Sequence, residues 1–198
     1  MLTGPAARRL TRTFQNRIQL IGARAARLTA AQWAALPGYD EADIPRFTAL
    51  TRSSLQAAHA AAVHTGVGYY ATLAQIRAPS VKVSEVPYTA DTREPFIAYW
   101  RALAGGNSPE AALQSGAARA EAVARNLSTS SSRRAGDVTF RKAGIEVDGW
   151  GRDPDARACP WCLQAADGVF RTAESADFGH DRCGCSVSPL ISIGGVTA

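Results

Sequence analysis

A long helical pattern at the start of the chain limits the possible folds most. Between residues 5 and 35, apolar side chains recur at steps of three and four residues and draw one narrow stripe: Leu10, Phe14, Ile18, Ile21, Ala25 and Leu28. Pro37 and Gly38 then break the chain, and a second helical pattern runs from about residue 42 to residue 76. Two long helices joined by a short turn are expected to form an antiparallel hairpin.

The positive charge of the chain is concentrated on the first of these helices. Six arginines precede Asp40, the first acidic residue: Arg8, Arg9, Arg12, Arg17, Arg24 and Arg27. The formal net charge is +5, and the residues from Asp40 onward carry 16 cations against 17 acids. Helical spacing places the arginines opposite the apolar stripe. A local basic face indicates a docking element more than general nucleic-acid binding.

The middle of the chain predicts an extended excursion followed by further helices. Pro79, Pro87 and Pro95 favour an extended path over residues 77–95, and helices are expected over residues 96–134. Ser108 followed by a proline and a glutamate is typical of a helix start. The serine run 128–132 predicts either a loose helix end or a mobile loop, and Arg133 beside it is expected in a solvated loop.

The sequence pattern changes after Gly136 from that of helices to that of short strands. Short strands are expected over residues 138–140, 145–147, 169–171 and 186–191, separated by glycine, proline and aspartate. The predicted fold is therefore α+β and mainly α. It consists of a helical domain over residues 1–135 and a small, zinc-stapled, β-containing module over residues 136–198.

All four cysteines of the chain lie in this tail, together with a histidine. The pattern is C-x2-C, a gap of 17 residues, and then H-x2-C-x-C, which offers five donors for a metal: Cys159, Cys162, His180, Cys183 and Cys185. Zinc takes four such donors in a tetrahedron, and two short loops that supply two ligands each satisfy it. The tail has few large apolar residues, so a structural Zn²⁺ is expected to stabilise it.

Other interpretations of the cluster stay open but are less favoured. A pair of disulfides would require an oxidising environment, and the first 30 residues show no signal-peptide pattern. A redox C-x2-C lacks the expected βαβ context. A catalytic zinc lacks a general base such as that of H-E-x-x-H. The sequence contains no phosphate-binding glycine loop and no nucleophile elbow, so an enzyme and a small-molecule substrate are not expected. No stretch approaches about 18 uninterrupted apolar residues, so a membrane span is not expected either.

Several segments of the chain resemble a known family. They are ACPWCL at residues 158–163, GVFR at 168–171, HDRCGC at 180–185, and Pro189, with Tyr69, Tyr70, Ile76 and Arg77 upstream. These segments resemble MuF-like minor head proteins, which are minor capsid proteins of tailed bacteriophages, particularly those that infect actinobacteria. The motif match is strong over about 40 residues, and the remainder agrees only in architecture. Fused protease or toxin domains occur in some members, but this chain shows no matching motif.

The resemblance implies a structural, non-enzymatic protein present in few copies in the virion. Such a protein would lie in the capsid interior near the portal vertex, after assembly in the host cytoplasm, and would act in head assembly, genome packaging or ejection. The expected partners are the portal protein and other head proteins, with possible contact with packaged DNA. The first helix supplies the predicted partner-binding residues Arg8, Arg9, Arg12, Phe14, Arg17, Ile18 and Ile21.

The rival class is a zinc-dependent nucleic-acid-binding protein that uses the arginine-rich helix on phosphates. The neighbourhood of the cysteine cluster argues against it, because residues 150–189 carry six acids against four arginines.

Overall fold

The computed structural model describes residues 2–154, 158–171, 185–190, 192–193 and 196–197. Within these residues the protein is mainly helical, with five α-helices and two small antiparallel sheets of two strands each. None of the described helices combines the length and the apolarity that a bilayer span requires.

The predicted helical hairpin is present. Helix α1 spans Gly4–Ala34 and helix α2 spans Asp43–Ala74. The two run antiparallel, because Phe14 near the start of α1 packs with Tyr69 near the end of α2, whereas Trp33 packs with Phe47. Gln75 adopts a left-handed conformation with φ of 58° and ends α2.

The excursion after α2 is extended, as predicted, and runs back along the bundle. We call residues 77–92 the strap. Its one 3-10 turn, Val83–Glu85, is followed by Val86, which is 2% exposed and packs among Val63, Val67 and Val138. Farther along, Thr92 and Thr48 hydrogen-bond through their hydroxyls at 2.7 Å. The strap therefore covers the seam between α2 and the last long helix.

Helices α3, Glu94–Ala104, and α4, Pro109–Ala143, complete the bundle. The hydroxyl of Ser108 accepts a hydrogen bond from the backbone N–H of Ala111 at 3.2 Å, which confirms the predicted helix start. Helix α4 continues through the serine run and ends only at Gly144. The strand expected over residues 138–140 is therefore wrong, and the predicted boundary between residues 135 and 136 falls inside a helix.

The serines remain helical because their polar groups are satisfied within the helix. Ser128 donates to the carbonyl of Ala124 at 3.1 Å, and Ser132 donates to the carbonyl of Thr129 at 2.8 Å. Neither the loose end nor the loop forms. Arg133 is 1% exposed, so its expected place in a solvated loop is also wrong.

Close approach of the helices depends on glycines that face a neighbour. A Cβ on Gly116 of α4 would lie 2.2 Å from Cζ2 of Trp33, and a Cβ on Gly66 of α2 would lie 2.4 Å from the carbonyl oxygen of Ser132. These contacts place α4 antiparallel to α1 and parallel to α2. The core is therefore a row of clusters along three long helices, and α3 closes one end.

The described part of the tail closes the other end. Strand β1, Gly149–Asp153, pairs antiparallel with strand β2, Ser186–Leu190, which confirms the strand expected near residue 186. The strand expected over residues 145–147 begins instead at Gly149. A short helix α5, Pro160–Ala165, lies between β1 and β2 in sequence, and β3, Ser192–Ile193, pairs with β4, Val196–Thr197.

Trp150 of β1 joins the tail to the helices. It is 2% exposed, and its ring lies 5.8 Å from that of Tyr70 and 5.9 Å from that of Phe140. The backbone of Trp150 also forms two hydrogen bonds with Phe170, of 2.7 and 2.8 Å, so the strand expected around residue 170 is reduced to a single bridge. The sheet and the helices thus share one core cluster.

Candidate functional site

The cysteine site is built on α5 and on the start of β2. Cys159 immediately precedes α5 and is half-buried, Cys162 in its first turn is fully buried, and Cys185 immediately precedes β2 and is 3% exposed. Pro160 occupies the start of α5, a position that proline favours. The C-x2-C spacing therefore corresponds to a helix start that carries one thiol on each side of its proline and tryptophan.

Two buried arginines contact this site, and the sequence pattern did not single out either contact. Arg152 of β1 is 3% exposed and donates from Nη2 to the Sγ of Cys162 at 3.5 Å. Arg133 of α4 donates from Nη2 to the carbonyl oxygen of Cys185. A guanidinium beside sulfur favours the thiolate form, which is the form that binds metals. The cysteine site is thus attached to both the sheet and the longest helix.

The donor chemistry of the described residues fits zinc, but a complete ligand set does not fall within them. Cys159, Cys162 and Cys185 are described, whereas His180 and Cys183 lie outside the described residues. No group of three or more His, Cys, Asp or Glu side chains suited to a metal occurs in the part of the chain that the structure describes. The described thiols alone therefore do not make a zinc site.

The predicted partner surface on α1 divides into an exposed part and a buried part. All six arginines of α1 are exposed. They do not all lie opposite the apolar stripe as predicted, because Arg17 lies beside Phe14 and Ile21. Phe14 and Ile18, however, are each 5% exposed, and the ring of Phe14 stacks on that of Tyr69 with centroids 4.0 Å apart. These two residues belong to the core of this chain, so as folded their side chains are not available to a partner. Leu28, which was counted in the apolar stripe, is instead 46% exposed.

An open groove of ≈ 610 Å³ lies between α1 and α2. Its floor is mainly apolar, and its rim carries hydroxyls, one arginine and one histidine; it is lined by Leu10, Thr13, Phe14, Arg17, Ile21, Ala61, His64, Thr65, Gly68, Tyr69 and Thr72. Ile21, the third apolar residue of the predicted partner surface, is only partly buried and reaches this groove. The sequence pattern did not show the groove, because its two walls come from different helices.

A polar cluster ties α1 to the sheet. Gln15 donates from Nε2 to the Oγ of Ser186 at 3.1 Å and to the carbonyl oxygen of Asp153 at 3.2 Å. Ser188 donates to a carboxylate oxygen of Asp153, whose pKa is nevertheless raised because burial disfavours its charged form. Tyr70 donates to the carbonyl oxygen of Val187 at 3.0 Å. The cluster holds the sheet in one orientation on the helices.

The two histidines of α2 are not brought together. His64 is exposed on the rim of the groove, whereas His59 is 5% exposed and lies between α4 and the strap. The Nδ1 of His59 and the hydroxyl of Ser131 are 2.7 Å apart, and the ring meets Tyr88 edge-on. Burial lowers the pKa of His59, against hydrogen bonds to the backbone of the strap. His59 is therefore a packing residue.

Comparison with known proteins places the chain in a family. The model of the family described as VG15 protein matches residues 5–194, which is nearly the whole chain. The chain belongs to the VG15 protein family. This family is associated with bacteriophages, so the chain is of phage type. No curated protein and no solved structure gives a significant match.

Proposed function

We propose that this VG15 protein is a MuF-like structural minor head protein of a tailed bacteriophage. Its place is in the virion, in the capsid interior at or near the portal vertex, in few copies. Its role is in head assembly or in genome packaging and ejection, and it is not an enzyme. Membership of a phage-associated family over residues 5–194 carries this proposal. The likeness of the segments around Cys159, Cys162 and His180 to the MuF-like signature supports the finer assignment.

A structural Zn²⁺ is part of the proposal. Its ligands are four of the five donors Cys159, Cys162, His180, Cys183 and Cys185. When bound, zinc supplies a tetrahedral cross-link between the start of α5 and the segment that precedes β2. Arg152 orients the Sγ of Cys162 through its hydrogen bond, and Arg133 fixes the backbone at Cys185. Outer contacts of this kind hold ligands in place for the metal.

The exposed arginines of α1 are the proposed contact with the portal or another head protein. Arginine suits carboxylates on a partner because its guanidinium can form two parallel hydrogen bonds. Each exposed pair contributes at most about 1 kcal/mol, so the charges set orientation and apolar contacts supply most of the affinity.

Nucleic-acid binding is the second candidate function, and one observation favours it. The six exposed arginines of α1 have no acidic residue among them, and this favours phosphate binding. Contact with packaged DNA is therefore compatible with the main proposal. In the alternative, DNA is the principal partner of the helix.

The experiment that tests the proposal is quantification of the protein in purified virions. A triple change of Arg8, Arg9 and Arg12 to Ser is expected to lower the amount per virion about two- to tenfold, since exposed ion pairs are individually weak. The matched control changes Arg46, Arg77 and Arg101, which are equally exposed, to Ser and should leave incorporation unchanged. Absence of the unmodified protein from virions would overturn the proposal. Salt-dependent binding to bare duplex DNA, with none to the portal, would favour the alternative.

A further inference from the structure

The long helices of the bundle meet along seams, of which one is covered by another segment of the chain and one is open. The strap fills the seam between α2 and α4, with Val86 buried among side chains of both helices. The seam between α1 and α2 is the groove of ≈ 610 Å³, and no described segment lies along it. From Leu10 to Ile21 a helix rises about 16 Å, so the groove is about three helical turns long. It matches one short helix or strap in length.

The floor of the groove suits the apolar face of a helix. Leu10, Phe14, Ile21 and Tyr69 line it, and Ala61 and Gly68 keep the α2 wall low. A Cβ at Gly68 would meet nothing within 4 Å, so space above this residue is open. Amphipathic helices dock into grooves of this kind through apolar residues spaced three and four apart. A phosphate backbone has no apolar face to place there.

The charge of the two groove walls indicates which charge the polar face of the occupant should carry. Helix α1 contains no acidic residue, and α2 contains only Asp43, which is buried at its first position. Arg17 lines the groove, and Arg24 lies two helical turns farther along on the same side of α1. An occupant with carboxylates beside its apolar face would therefore meet cations and no opposing carboxylate from either wall.

We infer that the α1–α2 groove is the docking site for an acidic amphipathic helix of another phage head protein. The apolar face of that helix lies on Leu10 and Ile21, which are only partly buried, and its carboxylates face Arg17 and Arg24. The inference deepens the proposed function and rests on it for the class of partner. Of the apolar stripe of α1, it uses Leu10 and Ile21, which reach the groove, as the source of affinity, and not Phe14 and Ile18, which are buried in this chain.

Two substitutions test the groove against matched controls. Gly68→Trp places a large ring in the groove without entering the core, and Gln56→Trp places the same ring on another exposed side of α2. Arg17→Glu reverses charge on the rim, and Arg27→Glu does so about 80° around α1, at a residue that does not line the groove. Virions are assayed for each variant after circular dichroism has confirmed folding.

The probe for direct binding is a synthetic helical peptide with leucines spaced three and four apart and glutamates elsewhere, followed by fluorescence anisotropy. Its controls are a permuted peptide that scatters the leucines, a peptide with glutamine for glutamate, and a duplex DNA of 20 base pairs. We expect Gly68→Trp to weaken peptide binding at least about tenfold, and Arg17→Glu about fivefold. Both changes should lower incorporation into virions, whereas the two controls should change neither readout more than about twofold.

The outcomes separate the two proposals. Normal incorporation of a folded Gly68→Trp protein overturns the proposal that the groove is a docking site. Loss of incorporation in the triple arginine variant would still support the head-protein role. Absence of the unmodified protein from virions overturns the head-protein role, and the groove proposal is then decided by the peptide-binding results alone. Equal binding of the acidic and permuted peptides overturns the groove, as does tighter binding of the duplex DNA than of any peptide.

Discussion

Two glycines in α2 lie two residues apart and meet opposite environments. A Cβ at Gly66 would lie 2.4 Å from the carbonyl oxygen of Ser132 and 2.9 Å from the Cβ of Ala135, whereas a Cβ at Gly68 would meet nothing within 4 Å. Only Gly66 is therefore required for the close approach of α2 to α4. The sequence does not distinguish them, because the difference arises from a helix more than 60 residues away.

The first prediction compares alanine at these two positions. Gly66→Ala is expected to lower the free energy of unfolding by about 1–3 kcal/mol, because the added methyl group forces α4 away. Gly68→Ala is expected to raise it by about 0.5–1 kcal/mol, since alanine favours the helix and has room. Chemical denaturation of both variants measures the two values. Similar values for the two substitutions would contradict the packing described here.

The second prediction concerns the pH dependence of stability at His59. Burial holds the pKa of His59 below its usual value of about 6.5, so in acid the unfolded state binds a proton more readily than the folded state. The free energy of unfolding should therefore fall as the pH drops below about 6.5, and this fall should be smaller in His59→Gln. His64→Gln, at an exposed position of the same helix, is the control and should keep the wild-type slope.

At the scale of elements, periodicity predicted those helices whose buried face is apolar. Helices α1 and α2 begin and end within two residues of the expected positions, and α3 begins two residues before the expected residue 96. The pattern failed at residues 138–140, where β-branched and aromatic side chains suggested a strand. Phe140 is 1% exposed and packs against Tyr70 and Trp150, so tertiary contacts keep this segment helical. Tyr70 is 70 residues away in sequence, and Trp150 is ten residues away on a strand, so neither contact leaves a local signal.

The third prediction tests whether the strap is part of the core. Val86→Ala is expected to lower the free energy of unfolding by about 2 kcal/mol, because it removes buried methyl groups and leaves a cavity. It should also speed proteolysis within residues 77–92, since the strap would detach more often. Val169→Ala removes the same groups at a position that is 70% exposed and should change the stability by less than about 0.5 kcal/mol. Equal effects of the two changes would show that the strap contributes no core packing.

At the scale of the whole molecule, sequence predicted a helical body and a distinct tail but not the core they share. Phe14, Tyr70, Phe140, Trp150 and Val187 come from three helices and two strands and form one cluster. The cysteine spacing predicted five donors for the candidate site, of which three lie within the described residues. It did not reveal Arg133 or Arg152, because a buried arginine that contacts a cysteine has the same local sequence as an exposed one.

The fourth prediction is that metal loss weakens the whole bundle and not the tail alone. If zinc is bound as proposed, elemental analysis should give about one zinc per chain. Chelation should then lower the melting temperature of the helices, since Trp150 and Val187 pack against them. Below that temperature the helical circular dichroism should persist. Cys162→Ser should reproduce the effect, and a chelator should cause no further change in it. Metal-free protein whose melting is insensitive to chelator would refute the zinc proposal.

The hydrogen bond from Gln15 to Ser186 also has a consequence during translation. The first helix leaves the ribosome long before its partner strand exists, and at about 5–20 residues per second the delay is roughly 10–30 s. Until then Phe14, and Tyr70 and Phe140 once they have been synthesised, lack Trp150 and Val187, with which they pack in the finished protein. The nascent chain thus exposes an aromatic surface that chaperones and proteases recognise. A message truncated before the codon for Ser186 would yield a protein that the host degrades.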